Sequence, residues 1–161
     1  MEIISARNLF FAFSIFLVMI GCQKAREENK KGLNNQVFII DDATLLTSKE
    51  HSSLQTFLDS IAERSGIDLA YCSQLNEQRF SVDSIAEHQF QRLWLSEQGV
   101  LVFLSKSNST VKILVGKKNH EKISDEELTE ITADLLPYFK QGLFLNGLKY
   151  AFMRINDRLS K

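Results

Sequence analysis

Five consecutive apolar residues, Val100-Leu101-Val102-Phe103-Leu104, constrain this chain more than any other segment. A run this short, following Gly99, reads as a central strand covered on both faces. Such a strand needs a layer packed on each side of its sheet. Residues 105–110, SKSNST, then form a polar turn. Residues 111–115 return as a strand whose only polar member is Lys112, closed by Gly116. The two runs together predict a β-hairpin.

The flanking sequence supplies helices. Thr47-Ser48-Lys49-Glu50 has capping-box form, with Thr47 as N-cap, and Leu54, Phe57, Leu58 and Ile61 follow at helical spacing. Gly66 fits the position that stops this helix. A short β-type run at residues 37–40 precedes it, and a strand at residues 67–72 follows, its alternation broken by Asp68. Ser81 is the N-cap of a second helix with Val82, Ile85, Ala86, Phe90, Leu93 and Trp94 on its apolar face. Ser124-Asp125-Glu126-Glu127 repeats the capping box for a third helix with Leu128, Ile131 and Leu135 facing inward. Its three carboxylates suit the positive end of the helix dipole. Pro137 ends that helix or restarts it, and Leu145, Leu148, Phe152, Ile155 and Leu159 mark a terminal helix after Gly142. The order β-α-β-α-β-β-α-α implies an α/β sandwich with a mixed sheet.

Ahead of this domain, residues 9–20 read LFFAFSIFLVMI. That is shorter than the ~20 residues a membrane-crossing helix needs, and it suits the h-region of a signal peptide. The run ends in Met19-Ile20-Gly21-Cys22, which resembles the lipobox of bacterial lipoproteins, with Met19 in place of the usual Leu. The resemblance implies cleavage after Gly21, making residues 1–21 a signal peptide, and diacylglycerol on Cys22, commonly with acylation (palmitate, for example) of the new amino terminus. Two or three acyl chains anchor firmly where one is marginal, at ~0.8 kcal/mol per buried CH₂. The alternative is an uncleaved N-terminal anchor. Residues 22–36 are charged and amide-rich after the cysteine and read as a flexible tether spanning roughly 20 Å. Residues 37–161 form one domain.

A net charge of −1 gives no field to recruit nucleic acid. Of the two cysteines, Cys72 ends an apolar run and reads as a small buried thiol. His51, His88 and His120 fall in different elements, without zinc-ligand spacing. The sequence contains no HExxH, P-loop, GxSxG, CxxC or EF-hand pattern.

Several pieces in order resemble the TPM domain family, whose members include a thylakoid-lumen protein of photosystem II repair and many bacterial envelope proteins. They are Ile40-Asp41-Asp42-Ala43, Leu45-Leu46-Thr47, Gly66, Trp94 ahead of Gly99-Val100-Leu101, and Val111-Lys112-Ile113-Leu114-Val115-Gly116. Leu136-Pro137-Tyr138-Phe139 and Gly142-Leu143-Phe144-Leu145-Asn146-Gly147-Leu148 complete the set. The resemblance implies a three-layer α/β/α sandwich with a short mixed sheet, calcium or other divalent ions in loops at one end of the sheet in some members, and weak acid phosphatase activity in some. The chain departs from many relatives at two loops. Ser96-Glu97-Gln98 replaces an acidic-Asn pair, and Lys117-Lys118-Asn119-His120-Glu121 replaces a Gly-rich segment.

In the implied fold the loop after the first strand approaches the loop before the hairpin. That makes Asp41 and Glu97 candidate ligands for calcium or magnesium, hard ions that prefer oxygen. The alternative is that Asp41 caps its loop and Glu97 is solvated. Lys117, Lys118 and Lys122 form a basic cluster, either a phosphate or lipid-headgroup site or a solvated turn. Tyr138, Phe139, Leu143 and Phe144 are core, or in part a partner-binding patch. The expected function is that of a membrane-anchored lipoprotein of the cell envelope, facing periplasm or exterior. Its TPM domain would be a non-catalytic binding or quality-control module with an envelope protein partner. A weak divalent-metal-dependent acid phosphatase is the alternative. Metabolic labelling of cells with a fatty acid should mark the wild-type protein and leave Cys22→Ser unlabelled; equal labelling of the two would remove the anchor.

Overall fold

A computed structural model describes residues 35–75 and 80–161. The expected signal peptide, Cys22 and all but the last two residues of the tether lie outside the described residues. Strand β1 (Val37–Asp41) leads to helix α1 (Ser48–Ser65), then β2 (Leu69–Gln74) and α2 (Val82–Arg92). The hairpin follows as β3 (Val100–Ser105) and β4 (Thr110–Val115), then α3 (Asp125–Lys140) and α4 (Phe144–Leu159).

The local signals act as their chemistry requires. Thr47 and Ser124 each accept a bond from the backbone three residues on, while Glu50 and Glu127 reach back to the cap N–H. Gly66 ends α1 with φ at 74°. Pro137 neither ends nor restarts α3, which runs through it to Lys140. Its missing N–H would have bonded the Ala133 carbonyl, and both residues are exposed, which leaves that carbonyl open to solvent. Trp94 does not join the apolar face of α2. The helix stops at Arg92, and Trp94 turns outward at φ 53° with 83% of its surface exposed.

The sheet order is β1-β2-β3-β4, with the first three strands parallel and β4 antiparallel to β3. One face carries Leu69 and Tyr71, then Val100, Val102 and Leu104, then Val111, Ile113 and Val115. Helices α1, α3 and α4 cover this face through Leu54, Leu58, Leu135, Leu148, Phe152 and Ile155. The other face carries Ala70, Cys72, Leu101 and Phe103 under Ile85 and Ala86 of α2. This is the expected three-layer α/β/α sandwich.

The strands step in one direction across the sheet, yet α1 and α2 lie on opposite faces. The two parallel crossovers therefore have opposite hands. One of them departs from the right-handed rule that holds in about 98% of such connections.

Phe152 is fully buried between α4 and the sheet. Truncation removes a large apolar surface and leaves a cavity. Phe152→Ala should lower stability by about 3–5 kcal/mol in urea unfolding.

Candidate functional site

Asp41 ends β1 at the carboxyl edge of the parallel strands, where open α/β sheets usually bind ligands. Its carboxylate is already occupied. Oδ1 accepts from the Leu45 N–H at 3.1 Å and Oδ2 from the Leu46 N–H at 2.8 Å. The hydroxyls of Tyr71 and Ser73 also donate to Oδ1. These bonds fold the loop after β1 so that Leu45 and Leu46 pack on the core. Burial, foremost, and the Asp41 charge push the Tyr71 phenol well above its usual range.

Glu97 lies at the other end of the sheet. Asp41 pairs with Ser73, and Ser73 with Leu104, near the end of β3. Glu97 precedes Val100, the start of β3, which pairs with Leu69 and Val115. A strand length of roughly 15 Å or more separates the two carboxylates, at ~3.3 Å per residue. The expected approach of their loops does not occur, because parallel β1 and β3 place the end of one and the start of the other on opposite edges. Glu97 Oε2 instead lies 3.4 Å from Lys118 Nζ, with both side chains more than half exposed. Such a pair contributes little.

The amino edge around Glu97 is tightly built. Asp68 is buried and accepts from the Gln36 N–H at 3.0 Å and the Ser96 N–H at 2.9 Å. It ties the start of β1 to the loop before β3. The lone acid inside an apolar run was the signal for this role. Gly116 packs on the backbone of that loop; a Cβ there would lie 2.4 Å from the Glu97 carbonyl oxygen. Buried Asn119 donates from Nδ2 to the Gln98 carbonyl at 2.7 Å. Lys122 donates to the Leu159 carbonyl at 2.7 Å, capping the end of α4. Two members of the basic cluster are thus engaged locally.

Other candidates disperse. His51 and His88 lie on α1 and α2, and His120 sits in the loop after β4. Among the described residues no group of three or more His, Cys, Asp or Glu side chains is arranged to hold a metal ion. Cys72 is buried, and burial, foremost, pushes its thiol up to about 12, so it is not a ready nucleophile.

The carboxyl edge does hold a cleft, on the α3–α4 side of the hairpin, with a volume of about 180 Å³. Its walls are Leu104, Val111, Leu136, Phe139 and Phe144. Lys106, Ser109 and Lys140 line its polar side. The apolar stretch after Pro137 divides here. Phe139 and Phe144 meet at 5.3 Å between ring centroids, Tyr138 stacks on Tyr150, and Leu143 is exposed. Gly147 lets α4 close on α3, since a Cβ there would lie 2.6 Å from the Phe139 ring. Lys106 Nζ makes one long bond, 3.4 Å to the Ala43 carbonyl. Among the described residues neither Lys106 nor Lys140 has a carboxylate within 4.0 Å.

A four-stranded mixed sheet between helical layers, with Asp41 and Asp68 bonded into its loops and an apolar cleft at its carboxyl edge, defines a compact α/β/α module. The TPM domain family model matches residues 39–158, and the chain belongs to that family. Solved structures share the fold. The N-terminal domain of a P. gingivalis protein is similar at a TM-score of 0.66 and 17% identity, over 81% of this chain and 86% of that one. The BA42 protein of the psychrophilic bacterium Bizionia argentinensis matches at 0.62 and 20% identity, over 71% and 81%. The N-terminal domain of the cg2496 protein from Corynebacterium glutamicum matches at 0.54 and 13%, over 78% and 80%. No curated protein sequence matches the chain.

If Asp41 is a structural staple, removing its charge costs stability. Hydrogen bonds to a charged group contribute about 1.5–3 kcal/mol. Asp41→Asn should therefore destabilise the domain by about 2 kcal/mol in urea unfolding. An unchanged midpoint would show that the bonds contribute nothing.

Proposed function

We propose that the protein is a lipoprotein of the cell envelope, held to the membrane through Cys22, whose TPM domain is a non-catalytic binding module for an envelope protein. The observation that carries this reading is the cleft: an open apolar pocket with two lysines that have no acidic partner among the described residues, in a domain that commits Asp41 and Asp68 to its own loops.

The direction of the chain supports it. The tether enters the domain at Gln36, beside Asp68 on the amino edge of the sheet. The cleft opens beside the turn at Lys106–Ser109, on the carboxyl edge. The chain thus joins the domain on the edge opposite the cleft. No helix among the described residues is long and apolar enough to cross a membrane. The proposed attachment is lipid on Cys22. The phosphatase alternative called on Asp41 and Glu97 together, and these lie at opposite ends of the sheet.

A photo-crosslinking side chain placed at exposed Ser109 should give a reproducible adduct with one envelope protein in intact cells. The same group at Lys117, on the opposite edge, should not. Identical adducts from both positions, or none from either, would defeat the cleft as a binding site. Magnesium-dependent hydrolysis of an aryl phosphate by the purified domain would overturn the non-catalytic reading.

A further inference from the structure

Strand β4 is an outer strand of the sheet, so one side of its backbone has no strand partner among the described residues. Outer strands are normally guarded by charges, proline or bulges, because unpaired N–H and C=O groups template strand addition. β4, TVKILV, has no proline. Its one charge, Lys112, is drawn to Asp83 of α2 at 2.7 Å. Along this strand runs an open groove of about 430 Å³, walled on the far side by Leu128, Thr129 and Thr132 of α3. Val111 belongs to both the groove and the cleft, so the two adjoin at the start of β4.

We propose that this combined surface binds the carboxyl terminus of a protein partner as an added β-strand, its last residue large and apolar. The proposal rests on the binding-module reading and names the partner's chemistry. Three observations converge on it. The cleft is slightly larger than the ~150 Å³ cavity that accepts a benzene ring, and well below the roughly 300–1,000 Å³ of ordinary ligand pockets. It therefore suits one large side chain. Lys106, Lys140 and Ser109 line the polar side of the cleft, where that residue's α-carboxylate would lie, and among the described residues the lysines have no carboxylate within 4.0 Å. Charge-assisted hydrogen bonds to a terminal carboxylate would satisfy them. The outer edge of β4 then supplies main-chain bonds to the preceding residues, the division of labour seen in β-strand addition. Because the cleft adjoins the first residues of β4, a peptide ending there runs antiparallel to β4.

The probe is the hexapeptide acetyl-Thr-Val-Thr-Val-Thr-Phe with a free carboxyl terminus, titrated into the ¹⁵N-labelled domain. Expected are amide shifts at residues 104–111 and along β4, and slowed hydrogen exchange in β4. The carboxamide form of the peptide should bind roughly tenfold more weakly. Lys106→Gln and Lys140→Gln should each weaken the acid form while leaving the amide form and the melting temperature unchanged. Equal binding of acid and amide would overturn carboxylate recognition. Binding of 3-phenylpropanoate as tight as the peptide, without protection of β4, would make the site one for small amphipathic acids and overturn strand addition. No binding of the peptide, with the Ser109 crosslink to an envelope protein intact, would sink the terminal-strand proposal and leave the binding module standing. Loss of both would remove the module as well.

Discussion

The two-sided burial of β3 is the constraint from which the rest of the structure follows. Val100, Val102 and Leu104 point to one face and Leu101 and Phe103 to the other, and all five are shielded from water. Neither face can be left bare at ~25 cal/mol per Å² of apolar surface. Three helices serve one face, and the eleven-residue α2 serves the other. The demand for cover on the second face explains why the β2-to-β3 connection passes on the side opposite α1. It also gives a reason for the mixed crossover hands. A second helix beside α1 would have left Leu101 and Phe103 exposed.

The thin layer pays for itself in polar staples. Asp41 and Asp68 sit at opposite edges of the sheet, and each gathers backbone N–H groups from segments distant in sequence or from the next loop. A buried carboxylate is tolerated when such donors surround it. The same bonds remove these acids from the pool available to a metal ion. Glu97, which stays exposed, lies beside Lys118. Asp41 and Asp68 are therefore structural, and the charges that line the cleft are the cations Lys106 and Lys140.

Much of the architecture was legible because its signals are local. The capping boxes at Thr47 and Ser124, the stop at Gly66 and the hairpin pattern each depend on a few adjacent residues, and each formed as read. The second strand begins at Leu69 rather than Ile67, because Asp68 is spent on Gln36 and Ser96. Trp94 matched helical spacing but fell beyond the last turn, since periodicity does not mark where a helix stops. The pairing of Asp41 with Glu97 failed for a topological reason that the element order already contained. In a β-α-β-α-β series the strands are parallel, so a loop after one strand and a loop before another lie on opposite edges. The cleft was only half visible. Phe139 and Phe144 stood out as an apolar stretch, but Leu104, Lys106 and Val111 join them only through the hairpin's position over α3.

That position depends on close approach between helices. Gly147 admits the Phe139 ring against α4, which sets the ring as a wall of the cleft rather than a plug within it. Any side chain at residue 147 would press on Phe139 and Tyr138. The ring, which meets Phe144 at 5.3 Å between centroids, would have to shift. A cleft of one-residue size has little slack, so its volume is set by a contact that lies outside it. The lysines at the rim stand on the turn that joins β3 to β4 and on the last residue of α3. Lys106 is thus placed independently of the Gly147–Phe139 contact, whereas Lys140 directly follows Phe139. Relatives with the same fold are free to keep the cleft and change what it recognises.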